Sequence, residues 1–577
     1  MNHKWKYQPP TPETKEAAKA LATEVGISPI LGLLLLRRGI TTARDASRFF
    51  HPQLSDLYDP FLIKDMDAAV KRLNNAMARK QKIMVCGDYD VDGCTAVTLV
   101  YKFLHDIYPN VDYFIPDRQE DGYGISLKSI DRAYTLGVKV IIILDCGIKA
   151  IEEIAYAKDK GIDFIICDHH VPDAVLPPAY AILDPKRKDE TYPYSDLSGC
   201  GIGFKLMQAF AQDNGIEFNK LVPLLELCAV SIAADIVPIR GENRILAYHG
   251  LKRLNTNPST GMQAIISICG LEDKEITMND VIFRMGPRIN ASGRIRDGRE
   301  TIELLIENDL KTAIEKANTI NTYNEARKDI DKQMTEEANR IVDNMKDLDK
   351  HRSIVVYNES WHKGVIGIVA SRLTELYYRP TVVMAIDEDG IVTGSARSVA
   401  GFDIYSAIES CRDLLENFGG HTYAVGLSLK EENIKEFSRR FEQYVEAHIT
   451  EEQTVPTLDI DAKIDFRDIT KRFFHELKHF APFGPGNPKP LFCTCNVYDY
   501  GTSKVVGRGQ EHIKLELVDN KSNNIMSGIA FGLSSHVRYI KTKRAFNICY
   551  YIEENTYKQG DVQLQIEDIK PMKKEEE

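Results

Sequence analysis

The sequence predicts an α/β protein with a parallel sheet, a long connecting helix, a second α/β domain and a C-terminal OB-fold β-barrel. Apolar, β-branched runs alternate with helical patterns from about residue 65 to residue 271, which is typical of parallel βαβ units. Glycine is absent from residues 299 to 362 and proline from residues 288 to 379, as expected of long helices. From residue 451 onward, short strands are separated by Gly, Asn and Asp turns, which favours a small barrel.

The predicted elements divide the 577 residues into six segments. In the first, Thr11 is a capping residue, Pro12 suits the first helical position and Gly26 ends the helix. In the barrel, strands are predicted at residues 491–498, 512–518, 524–531, 545–553 and 562–569. The segments are an N-terminal helical segment (1–60), the parallel-sheet domain (61–300), the connecting helix (301–350), the second α/β domain (351–450), the barrel (451–570) and a disordered tail (571–577).

Composition indicates an ordinary globular protein, with 43% hydrophobic and 27% charged residues. The formal net charge of −11 excludes a global basic field, although local basic patches can still bind polyanions. The eleven cysteines form no CxxC pair, so we expect reduced thiols rather than a zinc site or a disulfide framework. The longest apolar run, residues 30–36, is too short to span a membrane, and we expect a cytoplasmic protein with no membrane contact.

Polar clusters follow three predicted buried strands, at residues 82–86, 138–144 and 162–167. Because the carboxyl ends of parallel strands meet at one edge of a sheet, these clusters should converge on one crevice. Carboxylates that close together do not all stay ionised without a cation, so we expect divalent metal ions there. The clusters are Asp88, Asp90 and Asp92; Asp145; and Asp168, His169 and His170.

The residue types in these clusters narrow the choice of metal ion. A calcium loop starting at Asp88 would need Glu at its twelfth position, where Leu99 stands. Oxygen and imidazole ligands without thiolate favour Mn²⁺ or Mg²⁺. Asp235, after the apolar residues 227–234, is a further candidate ligand. A pair of such ions would activate water and clamp a phosphoryl group, so we expect hydrolysis of a phosphate ester or anhydride.

Several glycine-rich segments carry arginine, hydroxyl or imidazole groups suited to an anion. We expect them to hold phosphate groups against the metal centre. The candidate residues are Arg118; Arg288, Asn290 and Arg294; Trp361 and His362; Ser395 and Arg397; and Gly419, Gly420 and His421.

The four aspartate and histidine motifs resemble those of the DHH phosphoesterase superfamily. Gly419, Gly420 and His421, followed by Ala424 and Gly426, look like the signature of its DHHA1 partner domain. Residues 197–204, 287–294, 361–370 and 482–488 narrow the resemblance to the RecJ family, bacterial single-strand-specific 5′→3′ DNA exonucleases. The resemblance extends from about residue 20 to residue 570.

The resemblance implies roles for the residues of the metal centre. Asp168 would support the imidazoles, and His170 would orient the nucleophilic water or bind the scissile phosphate. Many superfamily members have His where this chain has Cys86, which leaves open whether Asp88 or Asp90 is the direct ligand. One ion would be held by Asp88, Asp90 and Asp145, and the other by Asp92, His169 and Asp235, with Asp145 bridging.

The resemblance also implies a substrate and partners. Arg118, Arg288, Ser395 and Arg397 would grip the 5′ phosphate, and the barrel would follow the strand through Lys504, Arg508, His512 and Lys514. The implied activity is release of 5′-mononucleotides from single-stranded DNA, in repair and recombination. The implied cofactors are two Mn²⁺ ions, with Mg²⁺ as the alternative. A helicase and a single-strand-binding protein are implied partners, and the implied state is a monomer.

Two other functions are weighed against this one. A DHH enzyme for oligoribonucleotides or cyclic dinucleotides would generally be much shorter and would lack residues 455–570. A non-catalytic DNA-binding relative would typically lack metal ligands, which are present here. The sequence does not decide between DNA and RNA, since that choice depends on how the channel treats a 2′-hydroxyl.

Overall fold

A computed structural model describes residues 3–116, 124–295, 298–345, 348–386, 390–555 and 560–572. The predicted phosphate ligand Arg118 and residues 573–577 of the predicted tail lie outside the described residues, as does the side chain of Arg294.

The chain begins with a short strand and three helices. Helix α1 starts and ends where its capping residues predict: Thr11 Oγ1 accepts a hydrogen bond from Thr14 N at 3.2 Å, and Gly26 ends the helix at φ 80°. The strand was not predicted. These elements are β1 (Lys4–Tyr7), α1 (Pro12–Val25), α2 (Pro29–Arg37) and α3 (Ala43–Phe50).

The predicted βαβ region forms a parallel sheet in the order β3-β2-β4-β5-β6. Its strands are apolar on both faces because helices cover both sides. The elements are α4 (Met66–Ala78), β2 (Lys82–Gly87), α5 (Val91–His105), β3 (Val111–Phe114), α6 (Leu127–Thr135), β4 (Val138–Leu144), α7 (Ile151–Asp159), β5 (Asp163–Cys167) and β6 (Ala181–Leu183).

A helical layer follows and packs around α5, of which most residues are buried. Between α12 and α13 lies a π-helical turn, Val281–Met285. The helices are α8 (Gly199–Asp213), α9 (Leu225–Ala234), α10 (Gly241–Thr256), α11 (Thr260–Ile268), α12 (Met278–Asp280), α13 (Gly286–Ile295) and α14 (Arg299–Leu305).

The predicted connecting helix is α15 (Leu310–Asp343), which leads into the second α/β domain. That domain has a mixed sheet in the order β10-β11-β9-β8-β7, in which β7 and β8 are parallel and the other pairs are antiparallel. Its elements are β7 (Ile354–Tyr357), α16 (Ile366–Tyr377), β8 (Thr381–Ile386), β9 (Ile391–Arg397), α17 (Ile404–Glu409), β10 (Leu415–His421), β11 (Ala424–Lys430) and α18 (Ile434–His448).

The C-terminal region confirms the predicted barrel. Strands β14, β18, β19, β17 and β16 pair in that order, and pairing of β16 back to β14 closes the ring. Its interior is lined by apolar residues such as Phe492, Leu515 and Ile548. The elements are β12 (Thr457–Ile460), β13 (Ala462–Lys463), α19 (Lys471–Lys478), β14 (Phe492–Asp499), β15 (Lys504–Val506), β16 (His512–Asp519), β17 (Ile525–Ala530), α20 (Val537–Ile540), β18 (Phe546–Glu554) and β19 (Val562–Pro571).

The chain forms two compact units. One contains the described residues up to Asp56 together with those from Thr457 onward, and the other runs from Leu57 to Pro456. In the first unit β1 pairs in parallel with β12, and Trp5 Nε1 donates a hydrogen bond to Asp568 Oδ2 at 2.7 Å. The N-terminal strand therefore closes over the outside of the barrel.

Among the described helices, none is long and apolar enough to cross a membrane by itself. One pair, α1 and α2, meets the length and composition criteria jointly but is bent by 110°.

Candidate metal centre

Four aspartates follow one line across the parallel sheet. The register places Gly87 beside Leu144, Leu144 beside Cys167 and Cys167 beside Leu183. The residues immediately after this line are Asp88, Asp145, Asp168 and Asp184. The first two flank the point where the strand order reverses between β2 and β4, the usual location of a ligand site in such sheets.

Asp145 occupies the middle of the cluster. Its backbone is left-handed, at φ 60°, and it is 3% exposed. Gly199 at the start of α8 lies against it, since a Cβ at that position would be 2.7 Å from Asp145 Cβ. Burial, followed by the charges of Asp92 and Asp90, raises the pKa of Asp145 well above its usual value. This carboxylate needs a nearby cation to be ionised.

The neighbouring carboxyl groups also have raised pKa values, because each is buried among like charges. Asp90 caps α5 by accepting a hydrogen bond from Gly93 N at 3.0 Å, yet burial and the charge of Asp92 raise its pKa. At the end of α9, burial and the charges of Asp92 and Asp90 raise the pKa of Asp235 to about 8. A shared rise in pKa among converging carboxylates is the electrostatic signature of a cation site.

Hydrogen bonds from α8 and α9 hold the carboxylate of Asp92 in place. Its Oδ2 accepts from Gly199 N at 2.7 Å, and its Oδ1 accepts from Cys200 N at 2.8 Å and from Ser231 Oγ at 2.7 Å. The two amides belong to the first turn of α8, where the helix dipole also favours negative charge. Asp92 is therefore fixed in position before any ion binds.

His169 faces three carboxylates. Its Nε2 lies 3.1 Å from Asp145 Oδ1, 3.5 Å from Asp235 Oδ2 and 3.9 Å from Asp92 Oδ2. Within the described part of the chain, neither ring nitrogen of His169 has a hydrogen-bond partner, although the residue is buried. Burial lowers its pKa and so favours the neutral ring, which is the form that binds metal.

The donor atoms gather in overlapping triplets, each within 4.8 Å. This arrangement fits divalent cations with oxygen and imidazole ligands, because the orphaned nitrogen and the strained carboxylates would both be satisfied. The structure brings together the residues of the two ligand sets that the family resemblance implied. The triplets are Asp88, Asp90 and Asp145; Asp92, His169 and Asp235; and Asp145, His169 and His170.

Asp168 orients the loop that carries both histidines. It accepts hydrogen bonds from the backbone amides of Ile148, His169 and His170, and its Oδ1 lies 2.7 Å from His170 Nδ1. Burial raises its pKa, but these hydrogen bonds and the His170 ring outweigh burial and bring it to about 2. Burial by itself would lower the pKa of His170. The hydrogen bond to Asp168 raises that pKa by more than burial lowers it, so the net shift is upward.

The second α/β domain contributes groups to the same place. The rings of His421 and His170 lie parallel, at 8°, with centroids 6.4 Å apart. Arg397 Nη1 donates to Ser395 Oγ at 3.0 Å, and a Cβ on Gly367 would lie 3.0 Å from Arg397 Nη2. Arg397 and Ser395 thus form a hydrogen-bonded pair beside the first turn of α16. Gly420 cannot carry a side chain, because its Cβ would be 2.3 Å from Ala424 O.

The other predicted phosphate ligands are dispersed. Arg288 lies on α13 and donates to Asn321 Oδ1 at 2.9 Å; Asn290, on the same helix, is half-buried. His362 precedes α16 and accepts from Gly364 N at 3.1 Å. Trp361 is 4% exposed and packs in the core of the second domain, where its Nε1 donates to Glu337 Oε2 at 2.9 Å. Its contact with the substrate stays a prediction.

The barrel carries the predicted basic residues on one outer face. Lys504 of β15 lies opposite Lys514 of β16 in the strand register. Both side chains are exposed, as is that of Arg508. His512 contacts the exposed ring of Phe531, with centroids 5.1 Å apart. Phe531 was not predicted from the sequence, where a phenylalanine at the end of a strand looks like a core residue.

Two residues near the metal centre were also missed. Asp184 follows β6 as the other aspartates follow their strands; its Oδ2 is buried without a partner among the described residues, and burial raises its pKa to about 7. Ser231 bonds both Asp92 and Ser198 Oγ, the latter at 2.6 Å. The strand-then-aspartate pattern could have identified Asp184, but no local signal marks Ser231.

Comparison with known proteins matches three parts of the chain to family models. Residues 82–232 match the DHH family N-terminal domain, residues 351–447 the DHHA1 domain and residues 460–568 the RecJ OB domain.

Curated relatives extend the match to most of the chain. The chain is 36% identical over 520 residues to the single-stranded-DNA-specific exonuclease RecJ of Bacillus subtilis, covering 90% of this chain and 65% of that protein. It is 31% identical over 568 residues to the protein of the same name from Haemophilus influenzae, covering 96% of this chain and 98% of the relative.

Solved structures show a similar fold. The crystal structure of RecJ with Mn²⁺ from Thermus thermophilus superposes with a TM-score of 0.84 at 24% identity, covering 99% of this chain and 80% of that one. A structure of exonuclease RecJ bound to manganese matches with a TM-score of 0.59 at 28% identity, covering 69% of this chain and 97% of that one.

A parallel sheet whose strand ends carry this aspartate and histidine cluster, followed by a DHHA1 domain, defines a metal-dependent phosphoesterase of the DHH class. Within that class, the chain belongs to the RecJ family of single-stranded-DNA-specific exonucleases.

Proposed function

We propose that this chain is an exonuclease that hydrolyses single-stranded DNA from its 5′ end and releases 5′-mononucleotides, in DNA repair and recombination. The observation that carries the proposal is the buried cluster around Asp145, in which strained carboxylates and the orphaned His169 converge at the switch point of the sheet. A relative that matches over nearly the whole length bears the name single-stranded-DNA-specific exonuclease, which supports the proposed substrate and reaction.

The metal centre would hold two Mn²⁺ ions, with Mg²⁺ as the alternative. Crystal structures of RecJ with Mn²⁺ and with Mg²⁺ support divalent metal dependence. Asp88, Asp90 and Asp145 would hold one ion, and Asp92, His169 and Asp235 the other, with Asp145 shared. When bound, such ions lower the pKa of water and neutralise charge on phosphoryl oxygens.

His170 would contact the scissile phosphate. Its Nδ1 faces Asp168, which leaves Nε2 for the substrate, and the bond to Asp168 raises the pKa of the ring, which favours its protonated form. A protonated imidazole donates a charge-assisted hydrogen bond to a phosphoryl oxygen. Asp168 acts through His170 by fixing its orientation.

The 5′ phosphate would bind in the second domain. Ser395, Arg397, Gly419, Gly420 and His421 form a cradle whose His421 ring reaches His170. Burial lowers the pKa of Arg397. Since burial disfavours the charged guanidinium, an anion at this position would be especially favourable. Arg118, Arg288 and Arg294 remain predicted phosphate ligands.

The barrel would bind the strand without reading its sequence. The face that carries Lys504, Arg508, Lys514 and His512 combines positive charge with the exposed ring of Phe531. Such a combination attracts the backbone and stacks bases of any sequence. A monomeric state, a cytoplasmic location and contacts with a helicase and a single-strand-binding protein remain predictions.

The test uses single-stranded DNA and RNA of one sequence, each labelled at the 5′ end or at the 3′ end. With Mn²⁺, we expect labelled mononucleotide to appear at once from 5′-labelled DNA and only late from 3′-labelled DNA. EDTA or Asp145→Ala should abolish release, whereas Asp159→Ala, at the exposed end of α7, should not. Release first from the 3′ end, or cleavage of short RNA alone, would overturn the proposal.

A further inference from the structure

The connecting helix α15 buries an unusual stripe. Its buried positions recur every three or four residues and are apolar at both ends, but three consecutive positions in the middle are polar. The apolar positions of the C-terminal half pack in the core of the second domain. The stripe consists of Ala313, Ala317, Ile320, Asn324, Arg327, Asp331, Met334, Ala338 and Val342.

The polar positions are incompletely satisfied. Asn324 is 0% and Arg327 is 9% exposed, and Arg327 Nη2 donates to Asn324 Oδ1 at 3.1 Å. Within the described part of the chain, Arg327 Nε and Asn324 Nδ2 are buried without a hydrogen-bond acceptor. An unsatisfied buried donor costs about 1–3 kcal/mol, and more when it is charged. Two adjacent donors therefore lack an acceptor.

Charge balance around Arg327 is positive. Arg288 of α13 and Arg372 of α16 are among the charged groups that act on Arg327, and the opposing charges are Asp331 and Glu325. Asp331 is already paired with Arg372 at 2.7 Å. Glu325 is exposed and paired with Lys328 at 2.9 Å. The buried guanidinium thus shares Asp331 with Arg372, hydrogen-bonds no carboxylate among the described residues, and has its pKa lowered by burial first.

The two helices beside the cluster, α13 and α16, each also contact one of the two proposed sites. Helix α13 packs against the loop of the first cluster, since a Cβ on Gly293 would be 2.6 Å from Tyr89 O. Helix α16 abuts the cradle through Gly367, and Arg372 follows five residues later, about 7.5 Å along the helix axis. Arg288 contacts α15 through Asn321.

We propose that Asn324 and Arg327, with Arg288 and Arg372 beside them, form a phosphate-binding subsite on the connecting helix. This inference rests on the proposed function for the identity of its ligand, which is a phosphate group of the nucleic acid. The group belongs either to the backbone of the bound strand or to the released mononucleotide. A phosphate supplies the acceptors that both orphaned donors lack and the negative charge that the arginines lack.

The test compares Arg327→Gln with Arg340→Gln on the same helix, whose side chain is 74% exposed. Both are placed in the Asp145→Ala protein, and affinity for a 5′-phosphorylated oligothymidylate is measured against salt concentration. Losing one phosphate contact should reduce the salt slope by about 0.7 and weaken binding about tenfold. Arg340→Gln should match the parent protein.

A second measurement distinguishes the sources of the phosphate. Inorganic phosphate and thymidine 5′-monophosphate should raise the unfolding temperature of the parent protein more than that of Arg327→Gln. A loss of this shift with an unchanged salt slope assigns the site to the released mononucleotide, and loss of both assigns it to the strand.

If Arg327→Gln lowers the unfolding temperature but leaves both the slope and the phosphate shift unchanged, Arg327 is structural and the inference is wrong. Cleavage of single-stranded DNA by the wild-type protein in that case leaves the proposed function intact. If the wild type neither cuts nor binds the strand, the proposed function fails, and the phosphate shift still decides whether the subsite exists.

Discussion

The imidazole rings of His170 and His421, which belong to the two α/β domains of the unit from Leu57 to Pro456, lie parallel, 8° apart in plane, with centroids separated by 6.4 Å. His170 belongs to the loop held by Asp168, and His421 ends strand β10. The metal centre and the proposed phosphate cradle therefore meet at this pair of side chains. His421 has its pKa lowered, by burial first and then by His170, which favours its neutral ring.

Replacing His421 with alanine should slow cleavage without removing the metal site. His421 is in none of the three ligand triplets, but it lies where a phosphate oxygen would meet His170. Removing one preorganised hydrogen-bond group costs about 100-fold in rate. We expect that loss in kcat, with Mn²⁺ affinity by calorimetry unchanged. His448→Ala, an exposed histidine on α18, serves as the control, and equal rates for the two variants would contradict this role.

Replacing Ser231 with alanine should weaken metal binding. Ser231 Oγ donates to Asp92 Oδ1 at 2.7 Å and holds the carboxylate toward His169. Loss of a group that orients a metal ligand typically lowers affinity by about 10–100-fold. Ser292→Ala is a matched control, because Ser292 is equally buried but bonds Ile289 O and not the cluster. Unchanged affinity in Ser231→Ala would show that Asp92 is held well enough by its backbone donors.

Metal binding should depend on pH in a defined direction. Burial and the charges of Asp92 and Asp90 raise the pKa of Asp235 to about 8, so this carboxyl is protonated below that pH in the metal-free protein. An ion must displace the proton, and apparent affinity should rise about tenfold per pH unit for each proton displaced, with the contribution of Asp235 flattening above pH 8. Calorimetry in buffers of different ionisation enthalpy measures the protons released. Asp235→Asn should release fewer, and equal release would contradict the assignment.

Replacing Trp5 with phenylalanine should destabilise the barrel unit. The change removes the hydrogen bond from Nε1 to Asp568, a residue that is 6% exposed and whose carboxylate would lose a donor. Such a loss costs about 1–3 kcal/mol. Thermal unfolding of the full chain should show a lower transition temperature for this unit. The metal centre, which lies in the other unit, should be unaffected. Trp361→Phe, in the other unit, is the matched change and should leave the barrel transition in place.

The metal centre was predictable because its signal is local. Each cluster follows an apolar run, and parallel strands bring such positions together whatever the rest of the fold. Asp184 was not predicted because its strand has only three residues and Pro185 follows, so the segment looks like a turn. Ser231 lies inside an apolar helix, and only the packing of α9 on α5 brings it to Asp92.

Long-range contacts account for the other differences. Strand β1 pairs with a segment some 450 residues away, which no local pattern encodes. The burial of Trp361 in the core of the second domain, with residues of α15 and α16, is a further contact that the local sequence does not encode. Arg327 looked like one of many charged residues of a long helix, because burial by two crossing helices is not visible in a helical pattern.

The measurement that tests the central claim most directly compares one DNA sequence as a single strand and as a blunt duplex, with Mn²⁺ and in enzyme excess. The account predicts rapid release of mononucleotide from the single strand, little from the duplex, and none from either strand with EDTA or with Asp145→Ala. Cleavage of the duplex at a rate comparable to the single strand, or cleavage that survives Asp145→Ala, would contradict it.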